Sequence, residues 1–336
     1  VLNNVFGIDL GTSTICIYNH DKKSFFHEKN MIAIDKRAGV IAYGDSAYEM
    51  YEKAPDNIKV TYPLSNGVIA DIHNMQTLLK LFITDVSGGS FKNATYYIAI
   101  PTDVTEVEKR AFYDLIEESN LKARKIFVVD KAVADAIGLG IDVKNSQGVM
   151  IVDVGFNTTE ISIISLGGIV ISKMIKSGGM RFDDAIRNAV KKEYRLYIGA
   201  KSAEKIKMDL EMLKEQHSPA TVYGRDVASG LPMERSVDTK LIDGALQEYF
   251  DVIIDNVKVI LERTPPELSA DIYKNGLYLT GGGSLVSDLG LQLARGTGLK
   301  VNLAEEAGKT VIQGIAEIIR NKRFRSVAYT IEGMGK

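Results

Sequence analysis

The sequence predicts an α/β fold built from two related halves. Short apolar strands alternate with helical patterns along much of its length. An apolar strand that ends in Asp, one apolar residue and Gly occurs twice, about one domain apart. At 336 residues the chain is large for a single core and comfortable for two domains of ordinary size.

The first copy, Val5-Phe6-Gly7-Ile8-Asp9-Leu10-Gly11-Thr12-Ser13-Thr14, continues in the apolar run Ile15 to Tyr18 and reads as strand, turn, strand. Tyr96 to Ile100 reads as a buried strand ended by Pro101. Val104 to Ser119 has helical spacing, with Thr105 as N-cap and Glu108 three residues on. Ile126 to Val129 reads as a further strand, and the polar link Asp142 to Gly148 precedes the second copy. That copy, Val149-Met150-Ile151-Val152-Asp153-Val154-Gly155-Phe156-Asn157-Thr158-Thr159-Glu160, repeats the grammar of the first. Ile161 to Ile171 is broken by Gly167-Gly168 into two strands joined by a tight turn. Ser202 to Lys214, Thr239 to Arg263 and Val311 to Asn321 read as helices, and Gly276 to Thr280 as a buried strand. The expected division assigns 1–144 and a C-terminal helix, 317–336, to one domain and 145–316 to the other.

Composition narrows the functional classes. Hydrophobic residues make up 45% and charged residues 25%, the mix of a globular protein. A net charge of -2 supplies no basic field for nucleic acid, so none is expected as partner. Cys16, the one cysteine, allows no intrachain disulfide and suits a reducing compartment. Its neighbours Ile15 and Ile17 mark it as a buried small hydrophobe rather than a nucleophile. No apolar segment approaches the roughly 18–20 residues that cross a bilayer, and no secretory signal opens the chain. A cytoplasmic protein is expected.

The two Asp–Gly turns suit phosphate chemistry. Gly removes the Cβ that would block close approach, so backbone N–H groups and a Thr hydroxyl can be aimed at a phosphate. An Asp at the end of each strand, Asp9 and Asp153, is placed for Mg²⁺, directly or through water. One such turn is ordinary hairpin chemistry; two of them one domain apart point to a ligand. A third element, Leu279-Thr280-Gly281-Gly282-Gly283-Ser284-Leu285, lets a backbone pass close to a flat ligand and aims a helix N-terminus at its phosphates. A structural strand–helix turn would need one glycine rather than three. Gly178-Gly179 could line the same site or simply end a strand. The N-terminal unit lacks Gly-x-Gly-x-x-Gly, which argues against a Rossmann dehydrogenase.

These three loops, in this order, resemble the two phosphate loops and the adenosine loop of the actin, heat-shock chaperone and sugar kinase superfamily. Within it the chain is most similar to the MreB family of bacterial actin homologues, as a divergent paralogue. The segments that carry the resemblance include Phe6-Gly7-Ile8-Asp9-Leu10-Gly11-Thr12, Gly67-Val68-Ile69-Ala70-Asp71 and Thr105-Glu106-Val107-Glu108-Lys109-Arg110-Ala111. Later ones are Ile164-Ser165-Leu166-Gly167-Gly168-Ile169-Val170, Gly224-Arg225-Asp226 and Thr264-Pro265-Pro266-Glu267-Leu268. The resemblance implies an actin-like ATPase fold: two lobes, each a mixed sheet flanked by helices, with ATP or ADP and Mg²⁺ in the cleft between. It also implies self-association into paired protofilaments serving cell shape or motility, with paralogous bacterial actins as further partners. By position, Asp9 and Asp153 would organise the metal and its waters. Gly11, Thr12, Ser13 and Thr14 with Gly155, Phe156, Asn157 and Thr158 would hold the phosphates, Glu204 and Lys207 would face ribose and base, and Gly281 to Ser284 would pass under the adenosine. Taken alone, Glu204 and Lys207 read as a solvated pair one helical turn apart.

Two departures from the family pattern bear on catalysis. Where the family places a Glu that positions the attacking water, the sequence reads Asp130-Lys131-Ala132, if Gly138-Leu139-Gly140 matches the family's Gly-x-Gly. An ammonium cannot accept a proton from water and would instead attract the γ-phosphate. Asp130, about 100° round a helix from Lys131, is a poor substitute. The family's Asp-x-Gly-Gly-Gly-Thr is here Asp153-Val154-Gly155-Phe156-Asn157-Thr158, so the turn loses two glycines and Phe156 must house a ring. Thr158, which orients the water in the family, is kept. ATP binding with weak hydrolysis is therefore expected; an active ATPase or small-molecule kinase of the same fold would need a base facing the cleft. A chaperone-like ATPase would need a peptide-binding module, for which the chain has no room.

Membrane contact in the family uses an amphipathic N-terminus or a small apolar loop. Val1-Leu2-Asn3-Asn4 and the loop Ser87 to Asn93, with Phe91 alone, offer little. The basic cluster Arg320, Lys322, Arg323 and Arg325, interleaved with Phe324, could touch anionic lipid at the inner face of the cell membrane. It reads more readily as a solvated helix end favoured by its dipole.

Overall fold

The computed structural model describes residues 4–331. Its frame is two five-stranded mixed sheets. The first runs Lys125–Asp130, Thr95–Ile100, Val5–Leu10, Thr14–Asn19, Ser24–Lys29 across its width, and the second runs Val301–Leu303, Leu277–Thr280, Val149–Val154, Thr159–Ser165, Gly168–Ile175. In each, the central strand pairs in parallel with one neighbour and antiparallel with the other, so the two sheets share one topology. The repeat visible in the sequence is a repeat of architecture.

That topology sets the two aspartates in matching places. Asp9 lies opposite Ala99 in the parallel strand and Cys16 in the antiparallel one; Asp153 lies opposite Thr280 and Glu160. Both stand near the carboxyl ends of parallel strands, the edge where ligands bind in open α/β sheets.

Local chemistry explains the elements. Thr95–Ile100 is buried at every residue, as its apolar run requires. The helix Glu106–Glu117 begins with a capping box: Thr105 Oγ1 accepts from the Glu108 N–H (3.2 Å), and Glu108 Oε2 accepts from the Thr105 N–H (2.7 Å). Helices Ala200–Glu215, Thr239–Glu262 and Thr310–Arg320 fall within two residues of their expected bounds at each end. Thr159–Ser165 and Gly168–Ile175 are joined by Leu166-Gly167, whose φ angles of 53° and 77° make the two-residue turn that matches strand twist. Two further sheets of three short strands each carry no strong alternation in sequence: Ile32–Asp35, Gly39–Tyr43 and Ile58–Thr61, and Leu196–Tyr197, Ala220–Asp226 and Pro232–Val237.

The centre of the molecule is a helix pair, Lys131–Gly138 against Thr310–Arg320. A Cβ on Gly138 would stand 1.9 Å from the Thr310 carbonyl oxygen and one on Gly314 1.8 Å from that of Ala134, so only glycine lets these backbones touch. Around the pair packs a core drawn from both sheets, with Val5, Cys16 and Tyr18 of the first and Ile151 and Ile164 of the second. Cys16 is buried there, and burial pushes its thiol far above the ordinary range. The helix Thr310–Arg320 runs through the expected 316/317 boundary and packs as a unit on Lys131–Gly138. Among the described residues no helix is long and apolar enough to cross a membrane.

Candidate nucleotide-binding site

A cavity of about 430 Å³ opens beside the carboxyl edges of the two sheets, within the size range of small-molecule sites. Its wall brings together Asp9, Gly11, Thr12, Ser13 and Thr14 of the first turn with Asp153, Gly155, Phe156, Asn157 and Thr158 of the second. Lys131, Gly179, Glu204, Lys207, Gly281, Gly282 and Gly283 complete the expected set. Gly178 and Ser284 do not reach the cavity.

The second turn is closed by a hydrogen bond from the Gly155 N–H to the Thr158 carbonyl (2.8 Å). None of Gly155, Phe156 or Asn157 has a positive φ, so the turn tolerates the loss of two glycines without strain. The Phe156 ring packs on Tyr62 with centroids 5.5 Å apart, and Tyr62 packs on Tyr51 at 5.9 Å. Gly178 lies behind this turn, against the carbonyls of Gly155 and Phe156. The N–H groups of Gly179 and Met180 donate to those same carbonyls (3.0 and 2.7 Å), so these two N–H groups serve the turn.

The triple glycine is explained partly by packing. Gly281 has φ 85°, and a Cβ there would lie 2.1 Å from Asp153 Oδ1; one on Gly283 would lie 2.9 Å from the Gly155 carbonyl oxygen. Gly282 alone meets nothing within 4 Å. Ser284 turns inward and donates through Oγ to the Gly281 carbonyl (2.6 Å). The α-helix expected to start here begins only at Leu289; a short 3₁₀ turn, Gly282–Leu285, intervenes. Its tighter winding keeps the chain against the second turn.

Glu204 and Lys207 face the cavity from one side of their helix, each already partnered. Glu204 accepts from the Tyr48 hydroxyl (2.6 Å) and pairs with Lys29 at 3.6 Å. Burial pushes its carboxyl up, but the Tyr48 hydrogen bond and the neighbouring lysines outweigh this and hold it below the ordinary range. Lys207 Nζ lies 2.7 Å from Asp183 Oδ1, and burial pushes Asp183 up to about 6 against that lysine's pull.

Lys131 is the first residue of its helix, and its Nζ lies 2.5 Å from Asp153 Oδ2. The ammonium expected to attract a phosphate thus also meets a carboxylate. Burial opposes its charge, but Asp153, Glu160, Asp9 and Asp135 together hold it well above the ordinary lysine range. Burial also raises the acids: Asp9 to about 6 and Glu160 to about 7, each pulled back by Lys131 and pushed further by Asp153. Asp135 is raised well above the carboxylate range by burial and by Asp153, and accepts from Thr310 Oγ1 at 2.5 Å. Asp130 turns away from the cavity and accepts from the Tyr329 hydroxyl (3.2 Å).

The expected two-carboxylate Mg²⁺ site is altered at Asp153, which shares its charge with Lys131. One oxygen of Asp153 is taken by Lys131, while Asp9 also lines the cavity. Among the described residues no three His, Cys, Asp or Glu side chains converge as a metal site. Two acids of the cluster escaped the sequence reading although signals for them existed. Glu160 faces Asp153 across a hairpin, and Asp135 lies four residues after Lys131 on one helix face.

The C-terminal basic cluster is mostly tied to the fold. Arg323 pairs with Asp142 at 2.5 Å, Arg320 with Glu317 at 3.7 Å, and Arg325 donates to the Ile319 carbonyl. Phe324 and Phe91 both pack inward on cores. Val1, Leu2 and Asn3 lie outside the described residues.

Known proteins share this sequence pattern and fold. The family model for the MreB/Mbl protein matches residues 3–326. The cell shape-determining protein Mbl of Bacillus subtilis is 38% identical over 319 residues, covering 94% of this chain and 95% of its own. The crystal structure of MreB5 of Spiroplasma citri bound to AMPPNP superposes with a TM-score of 0.88 at 33% identity, covering 96% of this chain and 97% of its own. The same protein bound to ADP gives 0.86 at 33% identity, covering 96% and 100%. The actin-like fold is thereby shared, and the chain belongs to the MreB/Mbl family.

Proposed function

We propose that the protein binds ATP or ADP in this cleft, assembles with copies of itself into filaments that serve cell shape, and hydrolyses bound ATP slowly. The nucleotide reading is supported by the cavity between the two Asp–Gly turns and by the nucleotides in the Spiroplasma citri structures. The cell-shape reading is supported by the name of the Bacillus subtilis relative. Slow hydrolysis rests on one observation, the Lys131 ammonium ion-paired to Asp153 at the position of the water-orienting acid. A protonated amine accepts no proton, and losing a positioned base costs roughly 10²–10⁴ in rate.

One observation favours a second reading, an active ATPase. Glu160 lines the cavity and is held at about 7, so it could accept a proton near neutral pH. Phosphate release from the wild type, Lys131→Glu and Glu160→Gln, alongside electron microscopy with ATP, separates the two. Slow hydrolysis predicts filaments, little release from the wild type, and a gain of about tenfold or more in Lys131→Glu. Fast wild-type release abolished by Glu160→Gln establishes the second reading, and a strictly monomeric particle removes the filament.

A further inference from the structure

We propose that the Lys131 ammonium acts as a built-in counter-ion for the cleft, so that nucleotide binding depends little on a divalent metal. The inference rests on the nucleotide reading above. A triphosphate entering this cavity meets the carboxylates of Asp9, Asp153 and Glu160, with Asp135 close behind. Four acids facing a polyanion need a cation among them. In many phosphate sites that cation is a metal ion; here the chain supplies one of its own.

The geometry supports this in three ways. Lys131 Nζ contacts Asp153 Oδ2 at 2.5 Å while its side chain stays 21% exposed, against 5% for Asp153, so the ammonium lies between the buried acid and the cavity. Asp153 gives one of its two oxygens to that ammonium, which leaves it a weaker partner for a hydrated ion. Lastly, Lys131 opens its helix, where a cation opposes the helix dipole. Only the surrounding carboxylates make that a favourable place for a positive charge.

An ammonium carries three donors. One serves Asp153, and the others can reach phosphate oxygens, for which lysine acts as a point charge. The two other lysines of the wall are engaged elsewhere, Lys29 with Glu204 and Lys207 with Asp183. No bond is made or broken in this role; it is electrostatic alone.

The test is ATP binding to the full chain by calorimetry, in excess MgCl₂ and in excess EDTA, for the wild type, Lys131→Met and Lys131→Glu. Wild-type Kd should change by less than about threefold when the metal is removed, whereas both variants should weaken by about tenfold or more. Thermal melts of the variants check their fold; if neither folds, the wild-type pair of measurements still decides. A wild type that weakens about tenfold or more in EDTA overturns the counter-ion role while leaving nucleotide binding intact. Absence of binding in both buffers removes the nucleotide reading itself, and this inference with it.

Discussion

Leu166 holds a left-handed backbone, φ 53°, at the tip of a hairpin while 71% exposed. Its N–H donates to the Asn145 carbonyl (2.9 Å), and that of Gly167 donates to the Val143 carbonyl (2.6 Å), so the turn is anchored to the link between the halves. A branched apolar side chain gains nothing in that conformation, whereas Asn tolerates it. Leu166→Asn should therefore stabilise the fold by about 0.5–1 kcal/mol, seen as a rise of ~1–3 °C in the melting midpoint. An unchanged or lower midpoint would show that Leu166 makes compensating contacts. Lys131 is the opposite case, a residue whose local cost at a helix start is offset by its neighbours. The substitution itself was legible in the sequence, because family position alone singled out residue 131. Its partner was not, because the pairing of an ammonium with Asp153 depends on how two distant strands and a helix meet.

At the scale of elements, the second phosphate turn shows how a departure from pattern can be absorbed. Phe156 keeps ordinary backbone angles, and its ring finds Tyr62 and the Gly179 backbone. Tyr62 follows the strand Ile58–Thr61, while Phe156 belongs to the turn after Val149–Val154, so the aromatic contact spans the cleft. Aromatic pairs contribute about 0.5–1.5 kcal/mol beyond their buried area. Phe156→Gly should accordingly speed dissociation of a fluorescent ATP analogue by about two- to tenfold in stopped flow. Dissociation at the wild-type rate would mean that the contact does not hold the cleft closed. The strands and long helices here were readable from periodicity and caps, as the Thr105–Glu108 box illustrates. The third loop has a second reason for its glycines. Three glycines suggested ligand approach, yet Gly281 and Gly283 are required by packing on Asp153 and Gly155, a constraint that only tertiary structure reveals.

For the whole molecule, two sheets of one topology present equivalent aspartates to a common cavity, and a core shared by both sheets surrounds the helix that begins with Lys131. The site is therefore built on strand ends and the short turns that follow them. Against that stands the Lys131 cation at the expected catalytic position. On the function proposed above, holding and cutting are separated, with Lys131 standing where a water-activating acid is expected. The most direct measurement is the chemical identity of the bound nucleotide. The protein is loaded with γ-labelled ATP, freed of excess ligand, and quenched at intervals over an hour. The label should stay on bound ATP throughout. Rapid conversion of the bound ATP to ADP, with release of labelled phosphate, would contradict it.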